Sequence, residues 1–359
     1  MKKMVTLLMA MALVAMTLTG CGTDNGAKES DSDAGQSSTE EADNDVTEEE
    51  DDATEEASDT ADKDQEETFN IGVIQLAEHP ALDATYEGFV EGLKEAGYVE
   101  GTNITIDLQN AQGDQSNCVT IAEKFVNDKV DLILAIATPA AQAAAGKTSD
   151  IPILITAVTD PKSAGLVDSN EAPGGNVSGT SDLTPVAVQI DLLHEILPDA
   201  KSVGILYCSS EDNSEFQADL AIAKLQELGL TGDKYTISTL DEIQAVVNSM
   251  KGKVDAIYTP TDNLVAEGMP TVSMVATEAG IPCIVGEDGM VNGGGLATKG
   301  LSYFNLGKVT GGQGAQILSK EAQTATMPIA YLDDADCEFS YNKEVADALG
   351  ITIDESKFK

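Results

Sequence analysis

The chain contains no arginine and no tryptophan, and all 20 of its basic residues are lysine. Against them stand 62 acidic residues, giving a formal net charge of −42 over 359 residues. That balance argues against nucleic acid as a partner, because phosphate binding relies on lysine and arginine to displace condensed counterions. Aromatic residues make up only 4% of the chain, too few for an interface built on aromatic anchors. Two histidines, five cysteines and no C-x-x-C pair leave no signature of a zinc site, so neither a metal nor a cofactor is expected. No apolar run reaches the roughly 20 residues that a membrane-spanning helix needs.

The N-terminus carries the first positive signal. Lys2 and Lys3 precede an apolar run from Met4 to Leu18, short for a membrane span and suited to the central region of a signal peptide. Leu18-Thr19-Gly20-Cys21 resembles the bacterial lipoprotein box, which implies cleavage before Cys21 and lipidation of its sulfur. A lipidated Cys21 would hold the chain on the outer face of a cell membrane, in the Gram-positive manner, without spanning it. An ordinary secretory signal containing a cysteine is the alternative. Residues 22–67 hold 20 Asp/Glu, two lysines, one β-branched aliphatic residue (Val46) and no aromatic. Such a segment cannot bury enough apolar surface to offset chain entropy and is expected to be a disordered acidic linker. With the leader's +2 and the linker's −18 set aside, −26 remains for residues 68–359.

From Phe69 the texture changes to short apolar runs alternating with amphipathic stretches. Strands are predicted at 71–74, 104–106, 130–136 and 151–155. Helical faces lie between them, the first marked by Leu82, Tyr86, Phe89, Val90 and Leu93 and closed by Gly97. The pattern restarts after the Pro/Gly-rich stretch Ala172–Asn176, with helices at 185–196, 214–228, 241–250 and 264–279 alternating with strands at 202–207, 234–238, 254–258 and 281–285. A return strand at 295–303 and a helix at 306–318 follow. This is α/β architecture: two doubly wound parallel-sheet lobes in series, with a ligand cleft at their facing strand ends.

Several fragments fall in a recognisable order: Glu87-Gly88-Phe89, Gly97 to Asn103, Ala137-Thr138-Pro139-Ala140-Ala141, Asp160-Pro161, Pro173 to Gly179, Pro260-Thr261-Asp262-Asn263 and Ala346 to Ile351. Together they resemble the solute-binding lipoproteins of ABC importers with the type I periplasmic-binding fold, in the subfamily associated with tryptophan and tyrosine uptake. The resemblance implies a three-crossing hinge, with residues 68–182 and about 303–327 in the N-terminal lobe, and 183–302 and about 328–359 in the C-terminal lobe. It also implies a monomeric, non-enzymatic receptor that closes over an amino acid, aromatic as the first expectation, and delivers it to ABC permease subunits. A sugar, nucleoside or other small metabolite is the rival ligand; a secreted enzyme or a sensor module is the rival class.

No motif favours catalysis. Gly146-Lys147-Thr148 lacks the first glycine of a Walker A loop, Gly179-Thr180-Ser181 lacks the last glycine of a nucleophile elbow, and His194-Glu195 has no second histidine at 198. The better candidate is Thr138-Pro139-Ala140-Ala141, where a hydroxyl residue is expected to cap a helix whose small first turn exposes N–H groups to the cleft. A ligand carboxylate fits there, and with no arginine in the chain, backbone capture is the natural substitute for a guanidinium. Asp160, Asp182, Asp262 and Glu287 lie at or near strand ends and are candidates for an α-ammonium, with Asp262 preferred and Asn263 beside it; capping a helix is the competing role for Asp262. His79 follows the first strand and either flanks a ligand ring or lies in a surface loop. Cys118, Cys208, Cys283 and Cys337 could pair or stay as thiols.

Overall fold

The structure, a computed structural model, describes residues 68–333, 337–354 and 356. The leader, Cys21 and the acidic stretch 22–67 lie outside the described residues. The first lobe begins β1 (Phe69–Gln75), α1 (Pro80–Glu95), β2 (Ile104–Asn110), α2 (Gln115–Asp128), β3 (Leu132–Ile136), α3 (Thr138–Ala145), β4 (Ile153–Val158) and β5 (Val177–Ser181). Its sheet is parallel throughout, in the order β2-β1-β3-β4-β5. β3 and β4 are buried along their whole length because helices cover both faces.

The second lobe continues with α4 (Val186–Ile196), β6 (Ser202–Cys208), α5 (Asp212–Glu227), β7 (Thr231–Ile237), α6 (Ile243–Met250), β8 (Ala256–Thr259), α7 (Asn263–Glu267), α8 (Met269–Ala279), β9 (Cys283–Val285), α9 (Asp288–Asn292) and β10 (Ala297–Gly300). After α10 (Tyr303–Leu318) come β11 (Glu338–Tyr341) and α11 (Lys343–Leu349). The six-stranded order is β11-β10-β9-β8-β6-β7, parallel except for β11. Alternation along β6 sends Val203, Ile205 and Tyr207 into one core layer and Leu206 into the other.

Three segments connect the lobes. β5 leads through Asp182–Pro185 into α4, and β10 leads through Leu301 and Ser302 into α10. α10 belongs to the first lobe, whose core includes Leu306, Ala315 and Leu318. The chain then runs beside β5, with Ala330 N–H bonded to Gly179 O and Ser181 N–H to Ala330 O, before crossing to β11.

Helix α10 lies against α1 along a glycine seam. A Cβ on Gly88 would sit 2.0 Å from Phe304 O, and one on Gly307 2.0 Å from Thr85 O. Only glycine permits this approach. Among the described residues, no helix is long and apolar enough to cross a membrane.

Two local expectations need correction, and one strand goes unpredicted. Residues 177–181 form a strand, although Val177 is its one large apolar residue. The predicted helix 264–279 is two helices broken at Gly268, because Pro270 in the first turn of α8 cannot continue the hydrogen-bond ladder of α7. Thr138 is not a cap: the cap position is Ala137, and no side chain bonds the helix start.

Candidate functional site

The parallel strands of both sheets deliver their carboxyl ends to one cleft, and the helices that follow them start there. Helices α1 and α3 begin on the first lobe's side, and α5, α7 and α9 on the second's. Three non-glycine residues on this edge have positive φ, Gln112 (φ 56°) after β2, Ala137 (φ 85°) after β3 and Ala157 (φ 53°) in a bulge of β4. Strain of this kind collects where a site needs a particular backbone path.

The lobes meet through hydrogen bonds. Gln115 Nε2 donates to Ser210 O (2.7 Å), Gln142 Nε2 to Asp212 Oδ2 (2.9 Å) and Gln217 Nε2 to Thr159 Oγ1 (3.2 Å), while His79 Nε2 and Asn263 Oδ1 are 3.2 Å apart. Between the lobes lies a narrow cavity whose polar lining is His79, Asp182, Asn213, Thr261, Asp262, Asn263, Glu287 and Tyr303. Asn263 also lines a second cavity that reaches Pro139, Cys208 and Glu211.

The predicted carboxylates do different things. Asp262 caps α7: its Oδ1 accepts from Val265 N–H (2.7 Å) and its Oδ2 from Cys208 N–H (2.6 Å). Glu287 likewise caps α9, accepting from Gly289 and Met290 N–H, although burial still pushes its pKa up to about 7. Asp160 is absent from the lining of both cavities and accepts from Ser163 N–H in a turn. Asp182 differs. Its Oδ2 accepts from Tyr303 O–H (2.7 Å), joining two of the lobe connections, while Oδ1 is buried without a partner in hydrogen-bonding geometry. Burial lifts its pKa to about 6, with the Tyr303 and Thr159 hydroxyls offsetting part of the effect.

Other polar atoms at the cleft share that condition. Thr138 Oγ1, His79 Nδ1, Asn213 Oδ1 and Gln217 Oε1 are buried and unpartnered. Native proteins rarely leave such atoms empty. Thr138 stands beside the first-turn N–H groups of α3, which a helix cannot satisfy internally; Pro139, Ala140 and Ala141 are buried around it. Sequence reasoning did not find Asn213, Gln217, Tyr303 or Glu211. The usable signal was position: Asn213 and Tyr303 lie in the first turns of helices that follow a strand of the second lobe, Gln217 lies one turn further along the helix that holds Asn213, and Glu211 immediately precedes that helix. Cys118, Cys208 and Cys283 are buried thiols without a disulfide.

The chain is 40% identical over 348 residues to a tyrosine-binding protein of Clostridioides difficile, an overlap of 97% of this chain and 92% of the relative. The structure of an ABC domain in complex with L-Trp from Streptococcus pneumonia matches at 40% identity and a TM-score of 0.77, covering 80% of this chain and 97% of that one. A ligand-free, open substrate-binding protein with adhesive properties from Clostridium difficile is 46% identical but superimposes with a TM-score of only 0.63, over 81% of this chain and 98% of that one. Of these two structures, the more similar sequence is thus the less similar shape, and it is the one described as open. The two-lobed arrangement is the type I periplasmic-binding fold. A model of ABC transporter substrate binding proteins matches residues 70–359, and the chain belongs to that family.

Proposed function

We propose that this substrate-binding protein is a monomeric receptor that takes up an aromatic amino acid by closing its two lobes and presents it to an ABC permease, without catalysis. The observation that carries the reading is the pair of buried acceptors without partners, Asp182 Oδ1 and Asn213 Oδ1, at a cavity lined by three carboxylates and no lysine. An α-ammonium brings three N–H donors and one positive charge. Asp182 is the better ammonium partner than Asp262, because both Asp262 oxygens serve backbone donors. The ligand carboxylate goes to Thr138 and the first turn of α3, where the helix dipole and free N–H groups favour an anion. His79 and Asn263 close the cavity from opposite lobes.

The names of the tyrosine-binding relative and the L-Trp complex support an aromatic side chain. Closure follows from differential affinity: acceptors from both lobes are satisfied together only when the lobes meet around the ligand. The anchor in this reading is a lipid on Cys21, at the outer face of the membrane. Mass spectrometry of small molecules released from the purified, denatured full-length protein tests the ligand. Tyrosine or tryptophan is expected, and a sugar or nucleoside in its place would overturn the reading.

A further inference from the structure

Three residues of the cavity lining carry a buried polar atom without a partner: Asp182 Oδ1, Asn213 Oδ1 and His79 Nδ1. The reading above assigns the first two to the ammonium and leaves His79 Nδ1, on the first lobe, unassigned. Whether Nδ1 accepts or donates depends on the tautomer, and the tautomer is set by a chain of hydrogen bonds that ends at Glu211. The Glu211 carboxyl sits on the start of α7, where Oε1 accepts from Leu264 N–H (3.0 Å) and Oε2 from Asn263 N–H (3.2 Å). The same Oε2 accepts from Asn263 Nδ2 (2.5 Å). With its NH₂ group held by Glu211, Asn263 turns its carbonyl Oδ1 across the cleft to His79 Nε2. A carbonyl only accepts, so Nε2 carries the proton. Burial lowers the His79 pKa, with Asn263 and Asp83 opposing it in part, which favours the neutral ring. A neutral ring protonated at Nε2 has a bare lone pair at Nδ1. His79 is 6% exposed and lines the cavity.

We propose that His79 is the specificity-determining residue of the site, its Nδ1 accepting a hydrogen bond from the N–H or O–H carried by the ligand's aromatic ring. Indole and phenol side chains satisfy the lone pair; a phenyl side chain leaves it buried and empty. Sites built to pair a ligand hydroxyl reject the analogue lacking it far more strongly than apolar pockets reject size changes. Asn263 and Glu211 are positioning residues that fix the tautomer. This inference rests on the aromatic amino-acid reading above.

Calorimetry on the full-length protein with L-tyrosine, L-tryptophan, L-phenylalanine and 4-fluoro-L-phenylalanine tests it. Tyrosine and tryptophan are expected to bind at least tenfold more tightly than the two ligands without a ring donor. In His79→Phe the tyrosine-to-phenylalanine affinity ratio should fall to within threefold of one, whatever the absolute affinities. Nitrogen-15 spectra of the wild type give a second readout that needs no variant: His79 should show an unprotonated Nδ1 before ligand and a shift of that nitrogen with tyrosine but not with phenylalanine. Equal wild-type affinities for tyrosine and phenylalanine would overturn the proposal and leave the amino-acid reading standing. So would a His79→Phe variant that weakens all four ligands by one factor, since Nδ1 would then face the ammonium. If none of the four binds, the amino-acid reading and this proposal fall together.

Discussion

Asp182 is the group whose perturbation tests the ammonium site most directly. Burial raises its pKa to about 6 from an ordinary 3.8, so the folded ligand-free protein holds this proton more tightly than the unfolded chain does. A rise of that size corresponds to roughly 3 kcal/mol against the ionised form. The destabilisation is full above pH 6 and disappears as pH falls through 6 toward 4, so the ligand-free protein should melt higher at pH 5 than at pH 7. Ligand binding has the opposite dependence, because an ammonium needs the carboxylate ionised. At pH 7 about one molecule in eleven carries the proton and at pH 5 about ten in eleven, which weakens binding about tenfold. Glu287, raised to about 7, adds to the slope; burial also raises Asp262, whereas the lowered pKa of His79 favours the neutral ring. Asp182→Asn separates these contributions: it keeps shape and an acceptor for Tyr303 but loses the charge. Calorimetric affinity at pH 7 should drop roughly 30- to several-thousand-fold, as for other truncated buried charge pairs, and the remaining pH dependence should be flatter by about tenfold. Wild-type affinity independent of pH between 5 and 7, or Asp182→Asn binding within threefold of wild type, would refute the reasoning.

Three further outcomes are expected. Gly307→Ala places a methyl group 2.0 Å from Thr85 O and should cost about 3 kcal/mol or more, near 10 °C in Tm; Gly312→Ala in the same helix meets no atom within 4 Å and should leave Tm unchanged or slightly raised in thermal unfolding. Thr138→Val removes an unpartnered buried hydroxyl, so ligand affinity measured by calorimetry should fall about tenfold, while the ligand-free protein melts at the same temperature or higher. Cys21→Ser should move the protein from the membrane fraction to the soluble fraction on cell fractionation; equal recovery of wild type and variant in the soluble fraction would contradict a lipid anchor.

The fold was legible where burial wrote itself into composition. β3 and β4, covered on both faces, read as unbroken apolar runs, and the regular return of such runs between amphipathic stretches gave the wound α/β order. β5 escaped because its neighbours accept polar side chains: Ser178 bonds Met327 O, and Thr180 bonds both Thr156 and Thr310. The site was legible only to the level of strand ends. Asp262 has its partners three residues ahead and at Cys208, and the local half of that pattern is an ordinary cap signal. What distinguishes Asp182 is contact with Tyr303, 121 residues away, and an oxygen left without a partner. Neither has any trace in the flanking sequence, and the same holds for Glu211, whose importance depends on Asn263 and, across the cleft, on His79.

The return of α10 to the first lobe also bears on the order in which the chain can fold. The first core incorporates Leu301, Tyr303, Leu306, Ala315, Leu318, Met327 and Ile329, so α1, near the start of the described residues, waits for a partner more than 200 residues downstream. Until then its glycine face, shaped for another helix at backbone distance, stays uncovered. The second lobe faces no such delay: α4 through β10 run without interruption from Val186 to Gly300, with β11 and α11 added later at one edge. For a chain emerging N-terminus first, the second lobe can therefore be largely assembled before the first is complete. A slow phase in refolding should belong to the docking of α10 on α1.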